Sequence, residues 1–376
     1  MQTPPAIDRV GSTIGGRYAL RRLLGVGGFS AVYEATHTIT DRAVALKLLH
    51  PHLVTNPEVA DRFLLEARAM ARIRHEGIVQ VLDAGIDESS SIYIVLELLE
   101  GESLETCLHR QGTLPWTDVA LYCAHVLDAL AEAHRYGVVH RDIKPGNIFI
   151  ARTSDGGSQA RLLDFGIALV ARGNVRLTGA GMLLGTPEYM SPEQCLTADV
   201  GPEADVWAIG VVMWECLTGH TPFSGETATA TLLRIAHEQA VPIRSQVPEL
   251  PVSVAAVIDK ALAHDITARW RSAEEMRDAL IRVLRKGTGA AAIAAARLAA
   301  RVGGRTSMLM HPSDDRPSQS EVVDLSVVPV AQSIGGPGRP LAQVVVADFT
   351  ESWTSASRAR MASLCVTCFW DWAAAR

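Results

Sequence analysis

The sequence predicts an α+β chain in which a small β-rich lobe is followed by a larger helical lobe and a low-complexity tail. Three observations carry this. From residue 17 to about 97, short strand-like runs and glycine-containing turns surround one helix. From 101 to 285, apolar residues recur at helical spacing, as in Val119–His134, Val206–Leu217 and Val252–Leu284. From 286 to 376, Ala, Gly, Ser and Pro dominate, and GGPGRP near Gly335 has little capacity for a packed core, so this tail is expected to be mostly disordered. Residues 1–16 then form an N-terminal extension.

Leu24–Val32 reads LGVGGFSAV, a glycine-rich turn flanked by apolar residues that suit paired strands. Glycine lets a backbone approach a phosphate closely and aim its N–H groups at it, which singles out Gly25, Gly27 and Gly28. Val44–Lys47 (VALK) follows as the next strand. In DRFLLEARAMARI, Phe63, Ala67, Met70 and Ile73 recur at helical spacing, and Glu66 sits inside that apolar stripe. A carboxylate there is costly unless a cation meets it. Ile78–Leu82 and Ile92–Leu98 are strand-like and close the small lobe, and Glu97–Gly101 reads as a linker.

The helical lobe carries HRDIKPGN at His140–Asn147. An apolar run (Ile148, Phe149, Ile150), a polar turn (Thr153–Gln159) and a second apolar run (Leu162, Leu163) lead from there to Asp164, Phe165 and Gly166. Within one hairpin this sets a carboxylate, a lysine, an amide and a second carboxylate close together. Phosphoryl transfer needs such a set, because its catalysis rests on positioning and on neutralising phosphate charge. Composition supports the reading. Of 35 Lys plus Arg only four are lysines, Lys47, Lys144, Lys260 and Lys286, and two of these fall on the motif positions. An ammonium is a compact point charge and a guanidinium a broad fork, so the two are not interchangeable beside a phosphate.

Together these motifs, over about residues 17–285, resemble the bacterial Ser/Thr protein kinases of eukaryotic (Hanks) type, and the resemblance implies a bilobal protein-kinase fold. It implies that ATP and Mg2+ or Mn2+ bind between the lobes. Leu24, Gly25, Val26, Gly27, Gly28, Phe29, Ser30, Ala31 and Val32 would cover the nucleotide, and Lys47, clamped by Glu66, would reach its α and β phosphates. Val32, Ala45 and Phe149 would sandwich adenine, the backbone of Glu97 and Leu99 would hydrogen-bond it, and Leu96 would stand as gatekeeper. Asp142 would orient the acceptor hydroxyl, Lys144 would sit beside the transferring phosphate, and Asn147 and Asp164 would hold the metal. Ser30 replaces the third glycine of the family pattern, and HDITAR before Arg269 lacks the proline common there.

GTPEYMSPE at Gly185–Glu193 resembles the substrate-facing loop. Glu193 would pair with Arg269, and Asp205 would brace the catalytic loop. Lys144 with Thr186 resembles Ser/Thr rather than tyrosine kinases, so protein Ser/Thr hydroxyls are the expected acceptors. Arg141, beside the catalytic Asp142, is a cation that wants an anion. Thr178 is the only hydroxyl residue between Gly166 and Gly185 and is the autophosphorylation candidate. Two other classes stay open: a pseudokinase scaffold, against which Lys47, Glu66, Asp142, Asn147 and Asp164 are all present, and a small-molecule phosphotransferase, against which GTPEYMSPE is intact.

With net charge −6, 48% hydrophobic residues and no apolar run long enough to span a bilayer, the chain is expected to be soluble and cytoplasmic, without a secretory signal in MQTPPAIDRVG. Six irregularly spaced cysteines suit a reducing compartment, and Cys365 and Cys368 form a lone CxxC that predicts no metal site. No nucleic-acid partner is expected, and a homodimer that autophosphorylates in trans is left open.

Overall fold

The computed structural model describes residues 9–153, 156–164, 187–196, 200–287 and 289–310. The chain divides into two units, Met1–Pro312 and Ser313–Arg376, and the second lies outside the described residues.

The small lobe is one six-stranded sheet in the order β1-β2-β3-β4-β6-β5. It is built from β1 (Thr13–Ile14), β2 (Tyr18–Val26), β3 (Ser30–His37), β4 (Ala43–Leu49), β5 (Val81–Ile86) and β6 (Ile92–Glu97), with antiparallel neighbours throughout. Successive strand side chains point to opposite faces. On β4, Val44, Leu46 and Leu48 join Ile14, Tyr18, Leu20, Tyr33, Tyr93 and Val95 in one core, while Ala45 and Leu49 pack with Phe63, Ala67 and Met70 on the other face. Lys47 shares the parity of Ala45 and Leu49, and this alternation delivers its ammonium to the helix side of the sheet. That helix is α2 (Pro57–Arg72), preceded by the single turn α1 (Pro51–Val54). The Asn56 side chain caps α2 by accepting from the Glu58 N–H, and Pro57 occupies its first turn.

Two details differ from the sequence reading. The sheet begins before residue 17, because Thr13 and Ile14 pair with Ala19 and Tyr18 and bury Ile14. The fifth strand runs Val81–Ile86 rather than Ile78–Leu82, because Ile78 and Val79 turn aside to pair with Leu162.

Behind the linker, β7 (Gly101–Ser103), β8 (Ile148–Arg152) and β9 (Ser158–Leu162) form a three-stranded sheet, and the other described elements of this lobe are helices. Its helices are α3 (Leu104–Gln111), α4 (Trp116–Arg135), α5 (Pro192–Leu196), α6 (Glu203–Thr218), α7 (Ala228–His237), α8 (Val252–Ala261), α9 (Ala273–Arg285) and α10 (Ala290–Met310). Helix α6 is apolar almost all round and is correspondingly buried, with Trp207 and Trp214 at its centre. It ends at Gly219 in the left-handed conformation. Helix α10 occupies the start of the segment read as low-complexity tail. Among the described residues no helix is long and apolar enough to cross a membrane.

Burial gives this core a measurable pH dependence. His125 on α4 is 8% exposed, and burial, with help from the Arg301 charge, pushes its pKa down to about 4. The unfolded chain therefore takes up this proton first, so the contribution of His125 falls as pH drops from 6.5 towards 4, by about 2 kcal/mol at pH 5. His140 is shifted downward too, mainly by burial, and acts in the same direction. Thermal unfolding at pH 7 and pH 5 should show this drop in stability, and His125→Gln should make it smaller. An equal drop in the variant would assign it elsewhere.

Candidate active site

Lys47 lies between two carboxylates. Its Nζ is 3.4 Å from Glu66 Oε1 and 2.9 Å from Asp164 Oδ1, and it stands over the Phe63 ring at 5.6 Å. Burial alone would lower the lysine pKa, but Asp164 and Glu66 outweigh it and hold the ammonium above its usual value. Burial pushes the Glu66 carboxyl up to about 7 against the pull of Lys47. The spacing along α2 and the alternation along β4 thus bring together the expected pair, and Asp164 from the end of β9 joins it.

The catalytic-loop residues converge on Asp142. Lys144 Nζ is 3.2 and 2.9 Å from its two carboxylate oxygens, and Asn147 Nδ2 donates to its main-chain oxygen (2.7 Å) and to Oδ2 (3.0 Å). With its amide N–H2 spent on Asp142, Asn147 keeps Oδ1 as a ligand oxygen. That oxygen and the Asp164 carboxylate are the hard donors a small divalent cation takes. The loop itself is fastened from beneath by Asp205, whose carboxylate accepts from the backbone N–H groups of His140 and Arg141, each at 2.8 Å, and lies 2.8 Å from His134 Nε2. Burial would raise the Asp205 pKa, but His134, His140 and the Arg141 N–H together hold it below the usual aspartate value. Arg141 takes a positive φ of 66°, a strained conformation that this bracing holds in place. Its Nη2 donates to Val200 O (3.2 Å), while its Nε is buried without a partner among the described residues.

Glycine is not required by the protein's own packing at Gly25 or Gly28: neither has a positive φ, and a Cβ added at either would meet no atom within 4 Å. Bare backbone facing open space suits a ligand that approaches closely. The turn between Val26 and Ser30 is held by Gly27 N–H donating to Ser30 O (2.8 Å) and His50 N–H donating to Phe29 O (2.9 Å). The His50 ring adds a further contact, with Nε2 2.9 Å from Gly27 O. Sequence reasoning passed over His50 because nothing local marks it.

Glu97 was expected to act through its backbone, yet its side chain also links the lobes. It receives Arg161 Nη2 at 2.6 Å, Arg161 Nη1 at 3.1 Å and the Gln80 N–H at 2.8 Å. Ala45 and Leu96 are buried, Val32 and Phe149 half-buried, and Leu24 exposed. Leu99, in the connector after Glu97, packs half-buried against the main core. Glu193 and Arg269 form the expected two-pronged pair, at 2.8 and 3.2 Å, and Tyr189 donates to Glu215 Oε2 at 2.7 Å. Phe165, Gly166, Thr178, Gly185 and Thr186 lie outside the described residues.

The protein kinase domain family matches residues 18–281. Serine/threonine-protein kinase PknA of Mycobacterium tuberculosis is 38% identical over 279 residues, covering 73% of this chain and 63% of PknA. Serine/threonine-protein kinase Pkn1 of Myxococcus xanthus is 40% identical over 266 residues, covering 70% of this chain and 38% of Pkn1. The chain thus spans less than two thirds of the length of these relatives. The crystal structure of the M. tuberculosis PknI kinase domain superposes with a TM-score of 0.57 at 26% identity, over 73% of this chain and 98% of that domain. With a two-lobed fold, Lys47 paired with Glu66 and Asp164, Asp142 held by Lys144 and Asn147, and a family match across most of the chain, this protein belongs to the protein kinase family.

Proposed function

We propose that this chain transfers the γ-phosphoryl group of ATP to serine and threonine hydroxyls of protein substrates. The family generally uses ATP and Mg2+. The observation that carries the reading is that Lys47 pairs with both Glu66 and Asp164 while Lys144 and Asn147 converge on Asp142. In this assignment Leu24–Val32 covers the nucleotide, Val32, Ala45 and Phe149 enclose adenine, and the backbone of Glu97 and Leu99 pairs with it. Lys47, oriented by Glu66, holds the α and β phosphates. Asn147 and Asp164 hold Mg2+ or Mn2+, which when bound neutralises phosphate charge.

Asp142 accepts the proton of the acceptor hydroxyl as its oxygen bonds to the γ-phosphorus and the bond to the β-phosphate oxygen breaks, releasing ADP. Lys144, held on the Asp142 carboxylate, supplies positive charge beside the moving group. Incubation with labelled ATP, Mg2+ or Mn2+ and a generic protein substrate should move label to the protein, and no transfer from the wild type would overturn the reading.

The same reading assigns Thr178 as an autophosphorylation site, in trans if two copies meet, with Thr186 contacting Asp142 and Lys144. What supports it is the partly satisfied Arg141 guanidinium, a cation that a phosphate would complement. Mass spectrometry after incubation with ATP should find phosphate on Thr178, and an active sample without it would sink the assignment.

A further inference from the structure

Helix α10 lies beyond the stretch that matches the kinase family, yet its inner face belongs to the main core. Ala295 and Leu298 are 0% and 1% exposed, and Ala291, Ala299 and Val302 pack beside them at helical spacing, against α4 and α9. Gly289, at φ +90°, helps the short connector after α9 reverse the chain. One turn past Leu298, Arg301 passes His125 of α4 and forms an ion pair with Glu76.

Glu76 sits in the loop that follows α2, the helix carrying Glu66. Three attachments already tie this loop to the large lobe. His75 Nε2 lies 3.2 Å from Asp128 Oδ2, and Asp128 Oδ1 in turn receives Arg277 at 2.9 Å. The Leu162 N–H donates to Gly77 O at 2.7 Å, and the Val79 N–H donates back to Leu162 O at 2.9 Å. The end of α2 is therefore anchored to α4, α9 and β9, and Arg301 adds an anchor from outside the family match.

We propose that Arg301 is a positioning residue: by holding Glu76 it fixes the end of α2 and so sets Glu66 against Lys47, which makes α10 a working part of the catalytic unit. The proposal rests on the kinase reading above. Both side chains are partly exposed, 35% and 45%, so the pair is screened and its effect is graded rather than all-or-none.

The test uses the full chain and charge reversal. Arg301→Glu and Glu76→Arg should each lower kcat about two- to fivefold. KM for the protein substrate and the thermal midpoint should stay unchanged. Arg301→Lys and the doubly reversed Arg301→Glu/Glu76→Arg should recover most of the loss. Wild-type kcat in both single reversals, a double variant no better than either single, or a kcat loss that follows a fall in thermal midpoint would each overturn it. Hydrogen exchange supplies a readout independent of turnover: Arg301→Glu should speed exchange in the second half of α2 and in the loop after it. Unchanged exchange there refutes the positioning role whatever the activity, whereas a wild type that transfers no phosphate refutes the kinase reading instead.

Discussion

Asp142→Asn should lower kcat for phosphoryl transfer by about a hundred- to ten-thousandfold, the usual worth of a general base, with little change in stability or in nucleotide affinity. The asparagine keeps the shape and one oxygen, and the main-chain oxygen at this position still accepts from Asn147. What is lost is the negative charge that receives the acceptor proton, a charge now balanced by Lys144 at 2.9 Å. Steady-state kinetics with a protein substrate measure this. A loss confined to KM would mean that Asp142 only binds the acceptor, and wild-type kcat would remove it from the proposed mechanism.

Asp205→Ala should be the most damaging single change to the fold around the site. The Asp205 carboxylate is fully buried and satisfies the backbone N–H groups of His140 and Arg141 while lying on His134. Removing it strands those partners in the core, which costs about 3–5 kcal/mol by comparison with other buried charge partners. Because the same two N–H groups hold Arg141 at positive φ just before Asp142, activity should fall together with stability. The sign of the pH dependence follows from its lowered pKa. The stabilisation is present above the unfolded value of 3.8 and is lost as pH falls through the lower folded value. Chemical denaturation of the variant beside the wild type measures the cost, and an unchanged midpoint would show that the loop is held by other contacts.

How far the sequence spoke depended on whether a feature is local. The helical period put Glu66 on the face of Phe63 and Met70, and the family resemblance named Lys47 as its partner; the strand alternation that sets Lys47 on the face of Ala45 and Leu49 is what lets the two meet. The catalytic loop was legible because its groups are close in sequence and separated by a tight turn that brings them together. Side-chain links between distant segments left no such trace. Glu97 and Arg161 are 64 residues apart, Asp128 and Arg277 are 149 apart, and neither pair has a pattern that announces it. Ile78 and Val79 looked like the start of a strand, because they are apolar and β-branched, but their partner is Leu162 in the other lobe. Helix α10 did carry a signal. Alanine is the best helix former, and Ala291, Ala295, Leu298 and Val302 keep a helical period, yet their simple composition read as low complexity.

Under the proposed function, the site built on Lys47 and Asp142 phosphorylates aliphatic hydroxyls of proteins. Its most direct test is to identify the phosphorylated amino acids after the purified chain has been incubated with ATP, Mg2+ and a mixed protein substrate, beside the Asp142→Asn variant. The wild type should yield phosphoserine and phosphothreonine, and the variant a small fraction of that. Phosphotyrosine as the main product, or equal labelling by the two proteins, would contradict it.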